Sequence, residues 1–384
     1  MRVAVIGGGA AGTAAAWALG RGGAQVTLYY DRPGATALYS GALDVGLDGE
    51  ADPTAFPDVR AFADALAIWS LGAASFRVAT YEGVVRLTRG IDSALLDLAP
   101  LSGKTVGVVV LPLSDWDAEF LARQLTGSRW AKEAGTRFTP VRVDGVFEPD
   151  DAPSSSFDVA LAHDDPTRLA RFARALARAT NAVDGFLCGP WFGTTPGLAA
   201  RLRGLVGKPC GETTSRPGDA AGARFDAARD ALLATAGVVV RRERLAAVEL
   251  RGPRWTVIAG AGAMTANDFG FDAVVLATGG ILGGGIVLDD PRGNAPPVFR
   301  PGVRVPVEIG FDEVAAHALA SPHGVDLDAL GMSAIERVGI LARHERIPQC
   351  EGLFAAGDCI AGRPRTVLEA ARAGMAAARA ALAR

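Results

Sequence analysis

Gly7-Gly8-Gly9-Ala10-Ala11-Gly12 fits the spacing G-x-G-x-x-G. The apolar run Arg2 to Ile6 precedes it, and the Ala-rich stretch Ala10 to Arg21 follows, so a strand should feed through the glycines into a helix. That context suits a dinucleotide pyrophosphate. Gly7 permits the tight turn, Gly9 lets backbone approach the phosphates, and Gly12 lets helix and strand pack closely. With Ala10 and Ala11 in its first turn, the helix directs its positive end at the phosphate charge. Ala16, Leu19, Gly23, Val26 and Leu28 continue the packing positions of a βαβ unit, which a bare glycine turn would not require.

The second strand of such a unit usually ends in a carboxylate that holds a ribose. Here Tyr30 occupies that position and Asp31 follows one step later. A one-residue step along a strand turns a side chain to the other face. Either the loop begins early and Asp31 reaches the ribose, or that hydrogen bond is missing.

Two later segments separate a flavin from a nicotinamide cofactor. Val274 to Gly280 ends in Ala277-Thr278-Gly279-Gly280 and resembles the A-T-G-G strand end beside the dinucleotide in large flavoproteins. Gly352 to Asp358 resembles their C-terminal motif, in which the aspartate of Gly357-Asp358 holds ribityl or pyrophosphate oxygens. The helix that follows should start near Thr366 and Val367 and point its amino end at the pyrimidine edge of the flavin, where reduction puts negative charge. Arg363 and Arg365 are candidates for that charge or for an anionic substrate. Leu245, which opens the strand Leu245 to Leu250, is a further candidate contact to the cofactor.

Around these residues the chain reads as α/β: a Rossmann-type, glutathione-reductase-like FAD-binding domain with an inserted α+β substrate or cap domain. The expected parts are 1–76, 231–290 and 351–384 for the FAD-binding domain, 77–230 for the insertion, and 291–350 for a loop-rich extension of the substrate domain. Elements expected on the way are a helix from about Thr54 to Leu71, strands over Arg77 to Leu87, and a strand from Thr105 to Leu111. Helices are expected over Asp115 to Thr126, Asp165 to Ala179 and Phe225 to Leu233, and paired strands over Thr136 to Phe147.

Composition narrows the function. Apolar residues make up 49% of 384, enough for two cores. Lys+Arg 39 against Asp+Glu 42 leaves a net charge of -3, without the basic footprint that nucleic acid selects. Cys188, Cys210, Cys350 and Cys359 are scattered, with no CxxC pair, and His163, His317, His323 and His344 are spread along the chain. No zinc or iron-sulfur site is legible, and reduced thiols are expected. Met1-Arg2-Val3 runs straight into a strand and no apolar run approaches the ~20 residues of a membrane helix. The expected location is the cytoplasm, with membrane contact only peripheral, on the inner face, or through a partner.

A closer resemblance rests on Gly34 to Val45, where Ser40-Gly41-Ala42-Leu43-Asp44 looks like the small-residue S-G-[AS]-x-D loop of the smaller flavoprotein component of anaerobic glycerol-3-phosphate dehydrogenase. Gly83 to Thr88, Asp115-Trp116-Asp117, Gly211 to Thr214 with Pro217-Gly218, and Gly279 to Ile286 with Pro297-Val298-Phe299 agree with it. The resemblance is strong at both ends and weak from Arg123 to Pro190. It implies that Thr36, Ser40, Gly41 and Ala42 lie at the cofactor and that the acidic ribose residue can be absent. It also implies a larger flavoprotein and an iron-sulfur protein as partner subunits, passing electrons to membrane quinone. That family is commonly assigned FMN, whereas the G-x-G-x-x-G helix start is built for the pyrophosphate of FAD.

The expected activity is a flavin-dependent oxidoreductase taking a hydride from a small hydroxylated substrate, phosphorylated or not, or relaying electrons between subunits. A base would remove the hydroxyl proton, and His323, beside Pro322 and Gly324, is the best-placed histidine, whereas His317 falls in the expected helix Asp312 to Ala320. The alternatives are a stand-alone FAD-dependent dehydrogenase or oxidase of unrelated substrate, and a non-catalytic flavoprotein subunit.

Overall fold

The computed structural model describes residues 1–45, 52–147, 153–179, 183–259, 269–286, 339–348 and 350–384. Among them the strands are β1 (Arg2–Ile6), β2 (Gln25–Tyr29), β3 (Ala42–Leu43), β4 (Trp69–Ala79), β5 (Val85–Asp92), β6 (Thr105–Val110), β7 (Arg137–Arg142), β8 (Gly185–Cys188), β9 (Cys210–Glu212), β10 (Val239–Arg241), β11 (Leu245–Arg251), β12 (Arg254–Ala259), β13 (Phe269–Phe271), β14 (Ala273–Leu276) and β15 (Leu353–Ala355). The helices are α1 (Ala10–Arg21), α2 (Pro57–Leu66), α3 (Ala118–Gly127), α4 (Arg129–Ala134), α5 (Ser156–His163), α6 (Pro166–Arg178), α7 (Leu198–Val206), α8 (Ala220–Thr235) and α9 (Val367–Leu382).

Two compact units divide the chain: Met1–Thr36, Val45–Phe62 and Asp230–Arg384 form one, Ala37–Asp44 and Ala63–Arg229 the other. An edge at 76/77 would cut β4, which pairs with β5 from Trp69 onward, and β3 goes with the second unit because Ala42 pairs with Ile91.

The first unit is built on an all-parallel sheet in the order β10-β2-β1-β14-β15. Because β1 lies in its middle, both of its faces are covered and its sequence is apolar from Val3 to Ile6. Alternation sorts the two faces. Val3 and Val5 join Leu19 of α1 and Ala373 and Ala377 of α9 in one core, while Ala4 and Ile6 join Trp255, Val257 and Phe271 in another. That second core underlies the antiparallel sheet β11-β12-β13. Helix α1 is buried nearly all round, from Ala10 to Trp17, which is why small residues fill it.

The second unit holds an antiparallel sheet, β3-β5-β4, and a separate all-parallel sheet, β7-β6-β8-β9. Aspartates cap two of its helices: Asp117 accepts from the amide of Phe120 at 2.8 Å at the start of α3, and Asp165 from that of Thr167 at 2.6 Å at the start of α6. In its core the His163 ring stacks on Phe172 at 4.8 Å between centroids, and burial pushes the imidazole down to about 4. Elsewhere in this unit Arg224 reaches Glu212 at 2.5 Å and Asp92 at 3.3 Å with all three side chains buried, and the Tyr39 hydroxyl donates to Asp92 at 2.8 Å.

Two expectations are corrected. The helix expected over Thr54 to Leu71 is α2, which stops at Leu66; Ala67 has φ 60°, and Trp69 already begins β4. Tertiary pairing with β5 overrides helical spacing there. The paired strands expected over Thr136 to Phe147 are one strand, β7, lying parallel to β6 rather than folded back on a neighbour. Between Val238 and Ala259, β10 joins β2, and β11 and β12 form a hairpin.

Candidate functional site

In the first unit a cavity opens where the carboxyl ends of β1, β2 and β14 meet the amino end of α1. Gly7 sits at φ 121°, a region that L side chains rarely adopt, and a Cβ there would overlap the carbonyl of Ala277. A Cβ on Gly12 would overlap the carbonyl of Gly7, so the first turn of α1 can close onto β1 only without one. Gly9 has an ordinary φ of -78° and instead leaves room at the cavity. The Ala10 amide donates to Thr36 Oγ1 at 3.0 Å, which ties the segment after β2 to the helix start. A cradle of backbone with the dipole of a twelve-residue helix behind it suits a pyrophosphate.

The other two motifs converge on this turn. Thr278, Gly279 and Asp358 line the same cavity as Gly7, Gly9, Ala10 and Ala11. Gly357 packs against Ala11, since a Cβ on it would stand 2.6 Å from the Ala11 Cβ. A Cβ on Gly280 would stand 3.1 Å from that of Asp358 and 3.4 Å from Arg365 Nε. Burial pushes the Asp358 carboxyl up to about 6, against the opposing pull of the Arg365 guanidinium.

Tyr30 and Asp31 both line the cavity. β2 ends at Tyr29, so the loop begins at Tyr30; its buried ring covers Gly8, and Asp31 stands exposed at the opening. Leu245 lies on the wall, buried at the start of β11. Thr366 and Val367 are the cap and first residue of α9, where Thr366 Oγ1 accepts from the Glu369 amide at 3.2 Å. Ser40, Gly41 and Ala42 belong to the second unit, where the Gly41 carbonyl accepts from Asp92 at 2.6 Å and the Ser40 carbonyl from Ser215 at 2.8 Å. Arg363 is held by Glu345 at 2.9 Å and by Glu369 at 3.4 Å, so its charge is already countered within the fold. His323, His317 and Pro297 to Phe299 lie outside the described residues.

Sequence reasoning passed over Arg32, Glu243 and Arg244, which also line the cavity. Arg32 lies against Gly284, where a Cβ would meet its guanidinium. Glu243 and Arg244 come from the link between β10 and β11, a polar turn with no signature of its own. Cys359 is a buried thiol pushed up to about 11 by burial, and it donates to the carbonyls of Leu276 at 3.3 Å and Ala356 at 3.2 Å. Those contacts make it part of the packing between β14 and β15, not a nucleophile. Among the described residues no group of His, Cys, Asp and Glu could hold a metal ion, and no helix is long and apolar enough to cross a membrane.

A family model described as Glucose inhibited division protein A matches residues 2–51. No curated protein matches the chain. Among solved structures, glycine oxidase from Geobacillus kaustophilus is 14% identical with a TM-score of 0.36, covering 100% of this chain and 95% of its own. Iminodiacetate oxidase from Chelativorans sp. BNC1 is 15% identical with a TM-score of 0.31, covering 99% of this chain and 94% of its own. CtdE in complex with FAD is 10% identical with a TM-score of 0.28 and covers 73% of this chain, which spans 38% of the CtdE chain.

Proposed function

We propose that this chain is an FAD-dependent oxidoreductase, and that it acts in the manner of the smaller flavoprotein component of anaerobic glycerol-3-phosphate dehydrogenase. One observation carries the reading: the Gly7 to Gly12 turn, the Thr278-Gly279 strand end and the Asp358 turn, far apart in sequence, surround one cavity. A nicotinamide site needs the first of these; a flavin site uses all three. The amino end of α1 would take the pyrophosphate, with Thr36 holding the first turn of that helix in place. Asp358, whose carboxyl is raised, would accept from or donate to the hydroxyls of the cofactor chain. Bound FAD would supply a two-electron acceptor for a small hydroxylated substrate, glycerol 3-phosphate being the first to test. Its electrons would pass to partner iron-sulfur and larger flavoprotein subunits, through which any membrane contact would be made.

The deciding experiment is the absorbance spectrum of the purified protein, followed by acid release and mass measurement of the cofactor. A flavin spectrum with the mass of FAD is expected, and anaerobic glycerol 3-phosphate should bleach it. FMN mass would move the assignment to the mononucleotide, and protein that stays colourless with every flavin offered would refute the reading. Retained colour that glycerol 3-phosphate does not bleach would keep the flavin and remove this substrate.

A further inference from the structure

A tight hairpin precedes β15, and it is built from residues that such turns avoid. Arg343 and Arg346 exchange backbone hydrogen bonds of 2.9 and 3.0 Å, leaving His344 and Glu345 as the two central residues. Both lie in the left-handed region, at φ 48° and 63°. Hairpins that need positive φ at both positions favour Asn-Gly or Asp-Gly, because a Cβ in that region is strained. Strain of this kind persists where the surroundings over-determine it, and it clusters at functional sites.

Here the surroundings are specific. The Glu345 carbonyl accepts from the Ala355 amide at 2.8 Å, which anchors the turn to β15. Its side chain, although in a hairpin tip, is buried, and its carboxylate meets Arg363 at 2.9 Å. Arg363 reaches Glu369 in the first turn of α9 at 3.4 Å, and Glu369 takes Arg372 at 2.5 and 2.7 Å. Four alternating charges therefore run from the strained turn into the start of α9, with the two carboxylates almost fully buried. The segment between them leaves Asp358 at the cavity and carries Arg365 to Gly280. The base of the hairpin is tied to the same segment, with the Ile340 amide donating to the Cys359 carbonyl at 2.7 Å and the Ala361 amide to the Ile340 carbonyl at 3.0 Å.

We propose that Glu345 is a positioning residue for the dinucleotide site: the strained turn aims its carboxylate at Arg363, and that pair fixes the segment that brings Asp358 and Arg365 to the cavity and starts α9. The proposal rests on the FAD reading above. The physical case is a conflict of preferences. Glycine at position 345 would relieve the backbone, yet a carboxylate stands there, and it is buried against an arginine that holds the next element. A residue present only to make the turn would have no reason to be Glu.

The two roles respond oppositely to one substitution. Glu345→Gly removes both strain and carboxylate, whereas His344→Gly removes strain alone. In the full-length protein, FAD affinity is measured by titration of the apoprotein with flavin fluorescence, beside the melting temperature of the apoprotein. Wild type is expected to bind FAD. Glu345→Gly should weaken FAD about tenfold or more, the scale of a lost charge-assisted hydrogen bond, while its apoprotein melts close to the wild-type temperature, because the relieved strain offsets the lost pair. His344→Gly should bind FAD as wild type does, and Glu345→Gln should fall between the two. Wild-type affinity in Glu345→Gly overturns the proposal, as does a loss that merely follows a lower melting temperature. Wild type that binds no FAD overturns the flavin reading and this proposal with it.

Discussion

Individual positions at the site divide into those that make the fold and those that leave room for a ligand. Gly7, at φ 121°, and Gly12, pressed on the Gly7 carbonyl, are needed to build the turn at all. Gly9 differs, because its backbone would accept a side chain, and its added Cβ would stand 3.3 Å from the Thr36 hydroxyl at the cavity wall. Gly9→Val should therefore abolish FAD binding while the apoprotein melts close to wild type, read from flavin absorbance after purification and from thermal melting. Full flavin occupancy in that variant would mean that the pyrophosphate does not lie on this turn. Arg363 and Arg365 look alike in the sequence but differ here: two carboxylates counter Arg363, whereas Arg365 stands by Asp358 and Gly280.

Secondary elements set the geometry that those residues use. Helices α1 and α9, from opposite ends of the chain, pack so closely that a Cβ on Gly374 would overlap the Ala11 carbonyl. Ala14 and Ala15 on α1 and Ala373 and Ala377 on α9 keep both surfaces slim. Gly374→Val should push α9 away from α1, costing about 1–3 kcal/mol as overpacking does, and should also shift Asp358 and lower flavin affinity. Denaturant unfolding and flavin titration together check this; a stable variant with unchanged affinity would show that the two helices do not set the cavity. The βαβ unit was legible because strand, glycine turn and helix each obey a local rule. The end of α2 was not, because Ala67 to Trp69 carries no breaker and the switch to β4 is imposed by its partner strand β5.

At the scale of the whole molecule, two buried ionisable groups of the second unit respond to pH in opposite directions. Glu212 in the second unit is pushed from its ordinary 4.5 up to about 7 by burial, with the Arg224 guanidinium, the Phe192 amide and the Asp92 carboxylate as its charged and polar neighbours. A raised carboxyl value means that the folded state holds a proton the unfolded state releases, so this contribution is complete below 4.5 and is lost as pH rises through about 7. His163 runs the other way: its value is lowered from 6.5 to about 4, so its contribution is complete above 6.5 and lost as pH falls through about 4. The two slopes oppose each other between 4.5 and 6.5, and above 6.5 only that of Glu212 remains. Apoprotein melting temperature should thus fall more between pH 6.5 and 8 in wild type than in Glu212→Gln. Parallel pH profiles for the two proteins would show that Glu212 does not titrate there.

The cofactor turn, its order along the chain and the absence of an acid at position 30 could all be read in one dimension, because glycine spacing, strand runs and helix starts depend on neighbours a few residues away. Longer-range facts could not. That Tyr30 covers Gly8, that Arg32, Glu243 and Arg244 share the cavity wall, and that Glu345 in a strained hairpin holds Arg363 all depend on residues brought together across many positions. Charged side chains in turns satisfy no periodic pattern, so only the packing of strands and helices decides which of them meet. The parallel sheet of the second unit belongs to the same class, since β7 reads as half of a hairpin until β6 is found beside it.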